Sequence, residues 1–129
     1  MSRAIIGVAM EVLNELKPGL DEKLYERALT IELQRRGHRI SVQSSFPVFY
    51  RGELIGTLVP DLIVAELVIV DPKVVVCFTE ALVAQMIGYL NITGVDLALL
   101  LNFKNARLEG KRVLRPRPAD ESTSPDLHA

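Results

Sequence analysis

The feature that most restricts this chain is a change of hydrophobic period near Arg39. Before it, apolar residues recur at helical spacing. Beyond it come two runs, residues 54–64 and 67–76, in which apolar residues are almost continuous. Such runs suit central strands covered on both faces rather than strands with one wet face. Only a few polar residues break them, among them Asp61 and Asp71, and an acid inside a covered strand needs a physical reason. A chain of 129 residues has room for one core, and with 49% hydrophobic residues it can build that core without staples. The single cysteine, Cys77, excludes an internal disulfide. Because it follows Val74-Val75-Val76, it reads as a small buried hydrophobe.

Residues 4–16 place Ile5, Val8, Ala9, Val12, Leu13 and Leu16 on one helical face, and Lys17-Pro18-Gly19 breaks the helix. A second helix is expected from Asp21, as a capping carboxylate, to Arg36, with Gly37 as its stop. Leu24, Ala28, Leu29 and Ile31 are its expected inner face. Ile40, Val42, Phe46, Val48 and Tyr50 read as extended chain, turning at Arg51-Gly52-Glu53. The two apolar runs follow, joined tightly at Ala65-Glu66. A helix over 79–91, a buried strand over 96–103 and a short edge over 112–114 complete the ordered part. The expected order is α-α-β-β-β-β-α-β with a last edge strand: an α/β (α+β) domain over residues 1–115, its mixed central sheet flanked by helices. Residues 116–129, with three prolines and no apolar face, are expected to be a mobile tail.

No apolar stretch is long enough to span a bilayer, and the N-terminus does not read as a signal peptide, so a cytoplasmic protein without membrane contact is expected. A net charge of −1 argues against a protein that coats nucleic acid. It argues less against an enzyme that holds nucleic acid locally, because a bound cation adds charge at the site. His38, at a helix-to-strand turn, and His128, in the tail, are too far apart in sequence to suggest a metal pair. Two groups of basic residues, Arg35 to Arg51 and Lys104 to Arg117, read as solvated faces.

Three spaced features could carry chemistry. Gly19-Leu20-Asp21-Glu22-Lys23-Leu24-Tyr25 puts a turn glycine before a helix, an acid in its first turn and a tyrosine one turn on. Taken alone, that acid serves the helix dipole. Asp61 and Asp71 fall nearly opposite each other if their strands pair around Ala65-Glu66. Burying two facing carboxylates is costly, and a hard divalent cation such as Mg²⁺ or Mn²⁺ would relieve it. Lys73, two residues past Asp71, shares its strand face and could position or activate a water against a phosphodiester. A plain Asp–Lys ion pair stays open. Gln85 and Tyr89, four apart on the third helix, can point together toward the strands.

In order and spacing these segments resemble the GxxExxY protein family over roughly residues 3–114. Phe49-Tyr50-Arg51-Gly52, Thr93-Gly94 and Leu101-Asn102-Phe103 add to the match. That family is similar to PD-(D/E)XK nucleases of the exonuclease type. The resemblance implies a restriction-endonuclease-like core and a metal-dependent nuclease acting on DNA or RNA, with Mg²⁺ or Mn²⁺ as cofactor. It implies metal ligands at Asp61, Asp71 and the Pro72 carbonyl, with Glu22 acting directly or through water. It also implies a catalytic set of Asp61, Asp71, Lys73, Glu22, Gln85 and Tyr89. Nucleic acid and a second copy of the chain are the implied partners. The chain departs from the family at Asp71-Pro72-Lys73, where E-x-K with an apolar middle residue is usual, at Val83 and at Lys17. Proline keeps its carbonyl but removes a ladder donor. A nuclease-fold binding or assembly module without catalysis is therefore the alternative.

Overall fold

The computed structural model describes residues 1–117. The expected tail therefore lies, but for its first two residues, outside the described residues, as does His128. Helix α1 (Ser2–Leu16) buries Ile5, Val8, Ala9, Val12 and Leu13, as its spacing predicts. The connection to α2 (Glu22–Arg35) needs left-handed backbone at Lys17 (φ 65°) and Gly19 (φ 112°). Glycine takes that conformation freely and lysine does not. Tyr25 holds the turn closed. Its hydroxyl donates to the Lys17 carbonyl at 2.6 Å and accepts the Leu20 N–H at 3.2 Å. Its fully buried ring stacks on Phe103, with centroids 4.8 Å apart.

The inner face of α2 differs from expectation. Tyr25, Glu26, Leu29 and Leu33 are buried, whereas Leu24 and Ile31 are about half exposed. The stripe is turned well round the helix because the buried tyrosine outweighs the aliphatic residues opposite it. Asp21 occupies the N-cap position, but its side chain makes no capping hydrogen bond.

After α2 come β1 (Ile40–Val42), β2 (Phe46–Tyr50), β3 (Glu53–Leu58), β4 (Leu62–Val64) and β5 (Val68–Lys73). Helix α3 (Glu80–Thr93) then leads to β6 (Leu97–Asn102) and β7 (Glu109–Leu114). Thr79 caps α3 through its hydroxyl, and left-handed Gly94 (φ 78°) ends it. One five-stranded mixed sheet has the order β1-β4-β5-β6-β7, in which only β5 and β6 run parallel. Beneath the helices α1 and α2 lie Leu62, Val64, Val68, Val70, Leu99 and Leu101, with Phe103 beyond the end of β6. On the other face Ile63, Ile69, Ala98, Leu100 and Val113 pack with Met86 and Leu90 of α3.

Two expectations fail for one reason. The apolar run 54–64 is not one buried strand but splits at residues 59–61. Its first half pairs only with β2, in a separate two-stranded ribbon that leaves Leu54 and Ile55 exposed. Five strands, not four, thus precede α3. Near-continuous hydrophobicity cannot say which part of a run finds cover. Cys77 is also exposed rather than buried, because β5 ends at Lys73 and the chain leaves the sheet before reaching it.

Candidate active site

The β4–β5 hairpin sets the geometry. Its register pairs Leu62 with Val70, which carries Asp61 to the position opposite Asp71, one step beyond the ladder. Strand alternation puts Asp71 and Lys73 on the same face as Ile69, the face covered by α3. Asp71 is only 4% exposed. The Lys73 ammonium stands 3.3 Å from Asp71 Oδ1. That is close enough for Coulomb attraction, yet this buried oxygen accepts no well-formed hydrogen bond.

Burial foremost, then the neighbouring Asp61 carboxyl, pushes the Asp71 pKa up to about 7 against the pull of Lys73. Burial alone would lower Lys73. Asp71, Glu22 and Asp61 outweigh it and lift the ammonium above the ordinary lysine range. Both shifts have one meaning: the site holds more acid than its single lysine can balance.

The crossover helix brings its polar pair to the same place. Gln85 Nε2 donates to the Tyr89 hydroxyl at 3.4 Å. The Tyr89 pKa is raised by burial, then by Asp71 and Asp61, so the hydroxyl stays protonated and near both acids. From α2, Glu22 lies close enough to Lys73 to act on its charge. It does not join a cluster, however. Among the described residues, no three acidic, histidine or cysteine side chains gather closely enough to hold a metal ion.

Sequence reasoning missed Glu26. It is 6% exposed, and its pKa is raised by burial, then by Asp61. The signal was present, since Glu22 and Glu26 are four apart and flank the Tyr25–Leu29–Leu33 stripe on one helix face. Only the choice of inner face hid it. Asn102, within the Leu101-Asn102-Phe103 segment, gives no sign of its role in the sequence alone. Its amide clamps the chain just past Lys73, donating to the Val75 carbonyl at 2.8 Å and accepting the Val75 N–H at 3.1 Å.

Pro72 proves compatible with its strand. The Phe103 N–H bonds the Lys73 carbonyl, so the polar backbone groups of Asp71 and Lys73 face β6. Those of Pro72 then face the other side, where the β4 ladder has already ended at Leu62–Val70. No ladder hydrogen bond is lost there, and the Pro72 carbonyl has no ladder partner on that side.

A family model described as the PD-(D/E)XK nuclease superfamily matches residues 1–113. The chain belongs to that superfamily. Its mixed α+β sheet with three helices is consistent with the superfamily's fold. No curated protein and no solved structure matches the chain. Among the described residues, no helix is long and apolar enough to cross a membrane.

PD-(D/E)XK nucleases generally use divalent metal ions, and the residues here fit one. The buried Asp71 Oδ1 accepts no well-formed hydrogen bond and has only the Lys73 ammonium 3.3 Å away, Asp61 stands opposite it by register, and the Pro72 carbonyl next in the chain has no ladder partner. The carboxylates and the carbonyl are hard oxygen donors. Mg²⁺ is commonly held by one or two carboxylates while keeping several waters, so the want of a third clustered acid does not count against it.

Proposed function

We propose that this chain is a metal-dependent nuclease of the GxxExxY kind that hydrolyses phosphodiester bonds of nucleic acid. The observation that carries the reading is the buried, unsatisfied Asp71 Oδ1, facing Asp61 with Lys73 3.3 Å away. A purely structural ion pair gains most when its hydrogen bonds are complete, and this one is incomplete. The GxxExxY assignment is supported by the way Gly19 and Tyr25 form one closed turn that presents Glu22 at the start of α2.

In this reading Asp61, Asp71 and the Pro72 carbonyl would hold Mg²⁺ or Mn²⁺, with Glu22 contributing through water. When bound, the ion neutralises the phosphate and stabilises charge developing on it. Lys73, 3.3 Å from Asp71, would position the attacking water and stabilise charge on the reacting oxygens, while the water's proton passes to solvent and the P–O bond to the leaving oxygen breaks. The Tyr89 hydroxyl, kept protonated and held by Gln85, donates to a phosphate oxygen. Asn102 keeps the strand end that carries Lys73 in place.

The test is cleavage of labelled single- and double-stranded DNA and RNA with Mg²⁺ or Mn²⁺, with Lys73→Ala as the contamination control. Wild-type cleavage that disappears in the variant is expected. No cleavage by a folded wild type would favour the reading as a binding module without catalysis.

A further inference from the structure

The nuclease reading leaves open what form of nucleic acid reaches the site, and a cleft beside it bears on that. Between α2 and the chain leaving β1 lies a cleft of about 480 Å³. One wall carries Lys23 and Arg27, four apart and both exposed, and neither makes an ion pair among the described residues. The other wall carries Val42 and Gln43. The Gln43 N–H donates to the Asp61 carbonyl at 3.0 Å, so this wall is tied directly to a residue of the candidate active site. Glu26 lines the same cleft, and its carboxyl feels Asp61 on one side and Lys23 and Arg27 on the other. The cleft thus adjoins the candidate active site at the Asp61 backbone.

The lining has a mixed character that narrows the ligand. Ile31 and Val42 keep 54% and 48% of their surface exposed here, beside two uncommitted cations. Cations alone would suit any polyanion. Apolar surface next to them suits a chain whose base and sugar faces are uncovered, which a duplex does not offer. A cleft of a few hundred Å³ holds a ligand of one or two nucleotides, not a double helix. The groove between α1 and α2 makes a useful contrast. It is lined by Glu11, Glu15 and Glu32 with Arg35, and Arg36 is already paired with Glu11 and Glu32. That acidic groove would repel phosphate.

We infer that the α2–β1 cleft binds single-stranded nucleic acid next to the scissile phosphate, with Lys23 and Arg27 gripping its backbone phosphates and Ile31 and Val42 contacting a base or sugar. This assignment rests on the nuclease reading for its place beside the reaction, but its binding test does not need catalysis.

Fluorescence anisotropy with fluorescein-labelled oligothymidylate and oligouridylate in EDTA measures strand binding without cleavage. For Lys23→Ala/Arg27→Ala we expect affinity to fall about tenfold or more and the log–log salt slope to flatten by about 1.4, the value for two phosphate contacts on a single strand. A blunt duplex should bind the wild type more weakly than either single strand. Lys104→Ala/Arg107→Ala, which removes exposed cations away from the cleft, should behave as wild type. Absent strand binding by the wild type, equal binding by wild type and the Lys23/Arg27 variant, or preference for the duplex would overturn the assignment. The two readings separate cleanly. Wild-type cleavage with unchanged KM in the variant would remove the cleft and leave the nuclease standing. Strand binding that is lost in the variant, with no cleavage by the wild type, would do the reverse.

Discussion

A carboxyl that is 4% exposed, faces a second carboxyl and has one lysine 3.3 Å away is destabilised by ionising. Its consequence for pH follows directly. Asp71 titrates near 7 in the folded protein but near the ordinary aspartate value when unfolded. Between about pH 4 and 7 the native state holds a proton that the unfolded chain has lost, so metal-free stability falls as pH rises. Below the unfolded pKa the contribution is fully present. Asp71→Asn removes the titration and should raise metal-free stability at pH 8 by about 1–3 kcal/mol while abolishing any cleavage. Parallel stability–pH curves for wild type and variant, from urea unfolding, would refute this. At this scale much was legible in the sequence. Strand period alone put Lys73 beside Asp71, and hairpin pairing put Asp61 across from it. Glu26 and the Asn102 clamp were not legible, because both depend on which elements come together rather than on local spacing.

The hairpin that aligns the acids turns through Val64–Leu67, closed by the Leu67 N–H on the Val64 carbonyl at 2.9 Å. Both central residues have positive φ, 53° at Ala65 and 60° at Glu66. Such turns match strand twist, but they favour glycine or asparagine, and a side chain with a Cβ pays roughly 1 kcal/mol there. Glu66 contributes only an exposed contact to Arg39 at 3.5 Å in return, which is worth little. Glu66→Gly should therefore stabilise the protein by about 0.5–1 kcal/mol, seen as a higher thermal midpoint, without changing cleavage. A lower midpoint would mean that the turn is held by something other than local backbone preference. Elements themselves were readable where one face is covered and one is wet, as in α1. They were misread where apolar residues lie on more than one side. In α2 the tyrosine stripe prevailed over Leu24 and Ile31, and in the run 54–64 only the second half found cover.

Across the whole molecule one sheet carries both cores, and the acids sit where its central strands end. An ion held by Asp61 and Asp71 would tie β4 to β5 and should stabilise the entire domain rather than a loop. By linkage, metal at about 100 times its dissociation constant adds about 2.7 kcal/mol, which for a domain of this size raises the thermal midpoint by roughly 10 °C. The same rise should be absent in Asp71→Asn. It should persist in Lys73→Ala, because Lys73 is not a ligand. Without metal, Lys73→Ala should be destabilised at pH 8, where the two acids lose the cation beside them, and should recover much of that loss near pH 5, where Asp71 is protonated. A fold-supporting ion pair and a catalytic lysine part company in this experiment. If Lys73→Ala stays equally unstable at both pH values and metal shifts neither protein, the cluster is a packing feature. If metal restores the variant and cleavage is still missing, Lys73 acts on the reaction and not on the fold.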